Sequence, residues 1–446
     1  MCRTRWNRRE SLGVSDEKLS FLFTDMSTSS AIVERLQSIV GEVNLRAATA
    51  SDSVLGWQPQ YVVSPGNEQE LAAVLARANE AGVAVIPRGG GTKREWGNPP
   101  QRGELVLSTL RLNRVLEHAW ADLTVTVEAG CTLQALQQTL AQHGQRLALD
   151  CLWPERATVG GVLSTNDSGV LRLRFGALRD LIIGVTLALP DGTLASSGGK
   201  VVKNVAGYDL PKLATGAFGT LGIITRAVFR LHPLCPNPAT LTFSQPNIEA
   251  MQDRIMALQD SQLAHTALQI RCASDSIPEA DILFEATPTG LLAQQAQLQK
   301  FLGAFGSLSS QEGKWFAKEQ LWQSSDANCA IAKVSMLPTN IAKTVRALEQ
   351  IASSHHLNWS CVIQATGLGW LQCDGASSSL REALDQLRAR LEDEEGSLVL
   401  LRRPPEMGPL DAWGGSAGDA ISLMRALKHE LDPRNTLNPG RFVGGI

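Results

Sequence analysis

Three glycine-rich segments limit what this chain can fold into more than any other feature: PRGGGTK at 87–93, ATVGGVLSTNDSG at 157–169 and GYDLPKLATGAFGTLG at 207–222. Glycine has no Cβ, so such runs let backbone pass close to a ligand or to another segment and leave N–H groups free for an anion. One of them alone reads equally well as a tight turn at positive φ. Three along one stretch call for several backbone segments that converge. Two familiar nucleotide loops are missing. GGGTK carries its lysine after the threonine, with no second glycine at Walker A spacing. GAFGTLG is G-x-x-G-x-x-G and stands before a strand, where a dinucleotide fingerprint opens a helix.

At 446 residues the chain is long enough for two or three domains and a large enclosed ligand. Its 41 basic and 44 acidic residues give a formal net charge of -3, which offers no basic footprint for nucleic acid or an anionic membrane. The longest apolar run, LIIGVTLAL at 181–189, has the length of a buried strand, short of the roughly 18 residues of a membrane span. Eight scattered cysteines form no C-x-x-C pair, so no metal site is indicated and reduced cytosolic thiols are expected. Residues 1–25 contain only LSFLF as an apolar run and are expected to be a disordered extension. Met26 stands as a second start, ahead of the amphipathic helix read from STSSAIVERLQSIVG.

From residue 57 to 235 short strands alternate with brief helices. YVVSP (61–65) and GVAVIP (82–87) flank a helix opened by Asn67, with Glu70 at the capping-box place. That unit is expected to be a right-handed parallel crossover. ELVLST (104–109) and LTVTVEAG (123–130) follow as strands, and Thr132 caps a helix that stops at Gly144. Thr158 caps a short helix with Gly160 and Gly161 in its first turn, whose N–H groups are expected to point outward as an anion site.

Taken in order, PRGGGT, TVGGVLSTNDSG, FGALRDLIIGVTLALPDGTL, VVKNVAGYDLPKLATGAFGTLGIITRAVFRLHP and the closing LKHELDPRNTLNPGRF resemble the vanillyl-alcohol oxidase and p-cresol methylhydroxylase (PCMH) superfamily of FAD-binding proteins. The likeness covers about 57–235 and 424–446. Within the superfamily the chain looks most like GlcE-type FAD-binding subunits of glycolate oxidase. The resemblance implies an α+β fold: a PCMH-type two-lobed FAD-binding domain, then an α+β cap domain with an antiparallel sheet covered by helices. By the same resemblance Pro87, Arg88, Gly89, Gly90, Gly91 and Thr92 would wrap the FAD pyrophosphate, with Gly90 bare so that the phosphates can approach. Thr158, Gly160, Gly161, Ser164, Asn166, Ser168 and Gly169 would form the opposite wall. Lys203, Asn204, Gly207 and Tyr208 would lie by the flavin ring or its ribityl chain, and Gly222, Ile223 and Ile224 by the adenine side. Some relatives tether flavin through a histidine in the first loop; none stands in PRGGGTKREWG, so FAD is expected to be noncovalent.

Between 236 and 405 six strand-like runs, from ATLTF to GSLVLLR, interleave with four helical ones and read as the cap. The expected organisation is thus an extension at 1–25, a helical lead-in at 26–56, the FAD-binding domain at 57–235, the cap at 236–405 and a segment at 406–446 that returns to the FAD domain. The H-x-G-D-G-N-x-H motif of the superfamily's 2-hydroxy-acid dehydrogenases is absent, and His355-His356 reads as a turn rather than a metal site. Arg172, Arg174 and Arg179 are candidates to orient an anion or face a partner; no catalytic base is assigned. Three readings share these motifs. The resemblance favours the FAD subunit of a glycolate oxidase, cytoplasmic, with a larger flavin subunit and an iron–sulfur subunit as partners. A free-standing 2-hydroxy-acid dehydrogenase of the D-lactate type and a scaffold with a vestigial flavin site are the alternatives.

Overall fold

Tyr61–Val63 (β2), Val85–Arg88 (β3) and Leu105–Ser108 (β4) are short runs of valine, isoleucine and leucine, largely buried on both faces as parallel strands require. With Leu45–Ala47 (β1) they form a four-stranded sheet in the order β1-β2-β4-β3. This computed structural model describes residues 31–199, 207–303, 309–310, 314–323, 328–408, 410–415 and 418–446. The expectations for residues 1–25, Lys203 and Asn204 therefore fall outside the described residues. The helix Glu68–Glu80 (α1) carries the chain from β2 to β3, but β4 inserts between them, parallel to both. Asn67 caps α1 as its sequence predicts, its Oδ1 accepting from the Glu70 N–H at 2.8 Å. The Glu70 carboxylate departs from the capping box, taking the Gly66 N–H at 2.7 Å.

A second, antiparallel sheet holds Val115–Ala119 (β5), Thr124–Glu128 (β6), Ile182–Ala188 (β7), Leu194–Gly198 (β8) and Ile223–Arg230 (β9) in the order β5-β6-β9-β7-β8. Leu133–Ala141 (α2) and Val159–Thr165 (α3) pack on it through Leu136, Leu140, Val162 and Leu163. Ala188 of β7 and Ile223 of β9 join the core of the first sheet with Leu71 and Val85, so the two sheets share an apolar seam. The glycine loops run out along that seam.

Gln145–Arg146 and His232–Pro233 pair as a small two-stranded antiparallel sheet, and the other strands make one eight-stranded antiparallel sheet: Pro238–Ser244 (β10), His265–Ala273 (β11), Glu279–Glu285 (β12), Ser309–Ser310 (β13), Cys329–Ser335 (β14), Asn358–Gln364 (β15), Leu368–Asp374 (β16) and Ser397–Arg402 (β17). Their order is β13-β10-β12-β11-β15-β16-β14-β17. Helices Ile248–Gln259 (α4), Pro288–Leu302 (α5), Ile341–Ser354 (α6) and Ser377–Glu392 (α7) pack Ile255, Leu298, Leu348 and Leu384 into the core on one face. Val362, Trp370 and Leu401 on the strands instead meet Trp96, Leu152 and Phe218. The antiparallel sheet with helical cover is the architecture its sequence predicts, and this contact sets it over the glycine loops. His355 ends α6 and lies 3.1 Å from the Gln386 side chain of α7, so it serves that junction.

After helix Ala420–Leu431 (α8) the chain returns to the first sheet. The Val85 N–H donates to Thr436 at 2.7 Å and the Asn438 N–H to Val85 at 2.9 Å, pairing the free edge of β3. Lys428, buried, fixes this return by donating to the carbonyls of Thr220 and Leu437 and to Asp432.

Asp167 is fully buried where the parts meet. Its carboxylate accepts from Lys93 on the first glycine loop and from Lys318 beneath the eight-stranded sheet, each at 3.1 Å, and from the Leu152 N–H at 2.9 Å. Burial raises its pKa, but Lys318, Lys93 and the Leu152 N–H outweigh burial and hold it at about 2. Removing the carboxylate leaves two buried ammonium groups unpaired. Asp167→Ala is expected to lose roughly 3–5 kcal/mol of stability, measured by denaturant unfolding. Because the folded pKa is depressed, this contribution is full above the unfolded value of about 3.9 and is lost as pH falls through about 2. Neighbouring Asp150 is shifted upward by burial and has the opposite sign. The difference between wild type and Asp167→Asn isolates the acid limb, which the variant should flatten.

Candidate functional site

Where β3 ends, Arg88 is held by Asp52 at 2.7 Å, and Asp52 is itself paired with Arg46 at 2.8 Å. Hydrogen bonds from Arg46, Thr49 and Arg88 keep the Asp52 carboxylate well below the usual range against the opposing effect of burial. The loop beyond this anchor is bare. Among the described residues the N–H groups of Gly89, Gly90, Gly91 and Thr92 donate to nothing. Four free donors in succession form an anion-binding concavity. Gly91 requires its missing side chain, since its φ is +69°.

Opposite this loop stands α3. Thr158 caps it as expected, accepting from the Gly161 N–H at 3.4 Å. The helix start is less of an anion site than its sequence suggests. Val159 donates to Cys131 at 2.9 Å and Gly160 to Ala129 at 2.8 Å, because the first turn is laced onto the strand-to-helix loop before α2. The Ser164 and Thr165 hydroxyls bond back to Gly160 and Gly161 at 2.6 and 2.8 Å, leaving their lone pairs for the cleft.

The two walls enclose a cleft with about 840 Å³ of atom-free space, partly open to solvent. Of the residues singled out by sequence, Pro87 to Thr92, Thr158, Gly160, Gly161, Ser164, Gly222, Ile223 and Ile224 line it. Asn166, Ser168, Gly169, Gly207 and Tyr208 do not. Asn166 takes a left-handed conformation at φ +47° that ends α3 and turns the chain toward the eight-stranded sheet, where Lys333 donates to its carbonyl at 3.4 Å. A Cβ on Gly169 would strike the Asp150 carboxylate, so that glycine serves packing. Tyr208 is 89% exposed at the surface, and its carbonyl accepts from Ser197. Gly90 also has a different reason from the one expected. Its Cβ would collide with the Arg156 carbonyl, so the glycine lets two loops touch. At Gly161 the same construction meets only the Thr158 hydroxyl, at 3.2 Å.

Sequence reasoning missed Lys93, Arg94, Thr109, Phe218, Asn438 and Arg441, all on the cleft wall. Asn438 is placed by its side-chain donation to Phe218 at 2.7 Å, while Arg441 donates to the carbonyls of Arg94 at 2.9 Å and Trp96 at 2.5 Å. Burial pushes the Arg441 guanidinium down to about 10. Asn438 Oδ1 and Arg441 Nε are buried with no partner in the protein. A buried acceptor and donor left unmet on a cleft wall mark where a ligand completes the bonding. Free N–H groups at one end and paired polar edges at the other fit a dinucleotide with a pyrophosphate and a heteroaromatic ring.

The comparisons decide which one. Residues 59–198 match the family described as FAD binding domain. This chain contains an FAD binding domain. It is 26% identical to glycolate oxidase subunit GlcD of Bacillus subtilis across 92% of this chain and 96% of that protein. It is also 26% identical to D-2-hydroxyglutarate dehydrogenase of Xanthomonas citri pv. viticola across 86% and 89%. Identity rises to 37% with D-lactate dehydrogenase of Archaeoglobus fulgidus, over 42% of each chain. Among solved structures, p-cresol methylhydroxylase with substrate bound superposes with a TM-score of 0.73 at 15% identity, covering 93% of this chain and 96% of the other. Alkyldihydroxyacetonephosphate synthase gives 0.73 at 18% identity, with 92% and 86% covered. The PCMH-type fold implied by the motifs is thus the observed one, although the glycolate oxidase relative found is a GlcD subunit where the motifs suggested the GlcE type.

Gly90 and Gly161 separate packing from ligand contact. Gly161→Ala is expected to lower the flavin content of the purified FAD-domain protein while changing stability by less than about 1 kcal/mol, since helical alanine is favoured over glycine. Gly90→Val should lower both. Flavin absorbance per chain and thermal unfolding of each variant read the two effects.

Proposed function

We propose that this chain is the FAD-binding subunit of a multi-subunit glycolate oxidase or dehydrogenase that oxidises glycolate to glyoxylate and passes electrons to an iron–sulfur partner. At the coarser level it is an FAD-dependent oxidoreductase of the glycolate oxidase and D-2-hydroxy-acid dehydrogenase type, acting on a CH–OH group. The observation that carries this reading is the cleft itself: four unbonded N–H groups from Gly89 to Thr92 facing α3, with Asn438 Oδ1 and Arg441 Nε unsatisfied in the same wall. Residues 57–235 and 406–446 hold the cofactor and 236–405 form the cap. When bound, FAD supplies a ring that accepts a hydride from the α-carbon of a 2-hydroxy acid.

The chain's own residues do the holding. Gly89 to Thr92 bind the pyrophosphate, and Arg88, Lys93 and Arg94 add positive charge near it. Ser164 and Thr165 wall the opposite side, Gly222 to Ile224 flank the adenine side, and Asn438 and Arg441 meet polar edges of the ring. Among the described residues lining this cleft there is no histidine, which supports noncovalent attachment. The missing histidine-rich motif supports a division of labour in which a larger flavin subunit supplies the groups that bind glycolate and deprotonate it. Without such groups the proximity and general-base contributions, each worth orders of magnitude, are absent.

Acid precipitation of the purified chain should release its flavin into the supernatant; flavin retained in the pellet contradicts noncovalent binding. Titrated anaerobically with glycolate, the isolated chain should stay oxidised, whereas coexpression with the two partner subunits should give a copurifying complex that reduces dye. Rapid bleaching of the isolated chain by glycolate would overturn the subunit reading in favour of a free-standing dehydrogenase.

A further inference from the structure

A second cavity of about 420 Å³, partly open to solvent, adjoins the cleft on the far side of Gly91, Thr92 and Arg94. Its chemistry is unlike that of the flavin cleft. Trp96, Trp153 and Trp322 contribute three indoles, with Trp96 and Trp322 stacked at 6.2 Å and Trp153 edge-on to Trp322 at 5.1 Å. Trp153 sits at φ +55°, a conformation a bulky residue rarely adopts. It is held there by its carbonyl, which accepts from Arg156 and Ala157 at 3.0 and 2.7 Å, and by its N–H, which donates to Glu319 at 3.3 Å. Backbone strain of this kind persists where the surroundings over-determine it, commonly at binding sites.

The unmet polar groups of the lining are donors. The indole N–H groups of Trp96 and Trp322 are buried without an acceptor. Arg402, at the end of β17 and half-buried, has no side-chain hydrogen bond or ion pair among the described residues. The other charges are accounted for: Arg94 donates to the backbone of Ser51 and Ser53, Arg156 pairs with Glu155, Glu319 holds Trp153, and Glu95 is exposed. Among the described residues, three arginines against Glu95 and Glu319 give the lining a formal charge of +1. That balance suits a monoanion better than a dicarboxylate or a nucleotide.

We infer that this cavity binds a monocarboxylate bearing an aromatic or similarly broad planar group, with the carboxylate on Arg402 and the Trp322 N–H and the planar group against the indoles. A cavity of this order holds a drug-sized ligand, and glycolate, among the smallest hydroxy acids, would leave the indole walls untouched. The inference is independent of the proposed reaction, because it needs binding and no electron transfer.

The test is calorimetric titration of the flavin-loaded full chain with phenyllactate and with glycolate. Phenyllactate should bind at least about tenfold more tightly than glycolate, and Arg402→Gln should weaken it by about tenfold or more with flavin content unchanged. Trp322→Leu serves as a second variant, expected to weaken phenyllactate binding also if Arg402→Gln fails to fold. No heat with phenyllactate, equal affinity for glycolate, or unchanged affinity in a folded variant would overturn the assignment. Failure of the glycolate oxidase reading would leave these titrations unaffected.

Discussion

Buried Asp167 is the interaction on which the arrangement depends. One carboxylate oxygen takes Lys93 from the first glycine loop and the other takes Lys318 from beneath the eight-stranded sheet. A buried charge is tolerated only when fully paired, so the loop and the sheet must arrive together for either lysine to be stable. Where Lys93 is tethered, the preceding residues 89–92 are stretched between it and the Arg88–Asp52 pair. Their N–H groups then have no strand to join. The cleft's capacity for an anion is a consequence of how its first loop is anchored at both ends.

The C-terminal return has the complementary role. β3 is an edge strand, and the backbone of Thr436 and Asn438 covers that edge. Covering it brings Asn438 and Arg441 into the cleft, where each keeps one buried polar atom unmatched. Such atoms cost stability in an empty site and repay it when a ligand bonds to them. The fold thus concentrates unsatisfied donors and acceptors around the seam between its sheets. The tryptophan-lined cavity on the other side of the same loop repeats the pattern with indole and guanidinium donors.

Much of this was legible in the sequence, for local reasons. Asn67, Thr132 and Thr158 each cap the helix that their position announces, since a cap depends on three or four neighbouring residues. Most strands of the three larger sheets follow from short apolar, often β-branched runs, whereas Leu45–Ala47, Val115–Ala119, Leu194–Gly198, Ser309–Ser310 and Leu368–Asp374 carry no such run and were not legible. The glycines of the first two loops and Gly222 do converge on one cleft. What escaped was set by distance along the chain. Arg441 bonds to Trp96 across 345 positions, and nothing local to NPGRF says which surface it will meet. Gly90 was legible as a close approach, but its neighbour proved to be the Arg156 carbonyl, which only the folded contact reveals. Asn166, Ser168 and Gly169 continue the helical segment in sequence, yet the left-handed turn at Asn166 takes them out of the cleft. Tyr208, read as a flavin contact from the motif around it, is exposed at the surface, a position that the motif does not fix.

The central claim is that the unbonded N–H groups from Gly89 to Thr92 are the ones FAD engages, while those opening α3 are already committed to Cys131 and Ala129. Amide hydrogen exchange on the chain stripped of flavin and then reloaded with FAD tests this directly. Exchange at residues 89–92 should slow strongly on loading, while Val159 and Gly160, slow in both states, should change little. Unchanged exchange at 89–92, with new protection centred on the start of α3, would contradict the account.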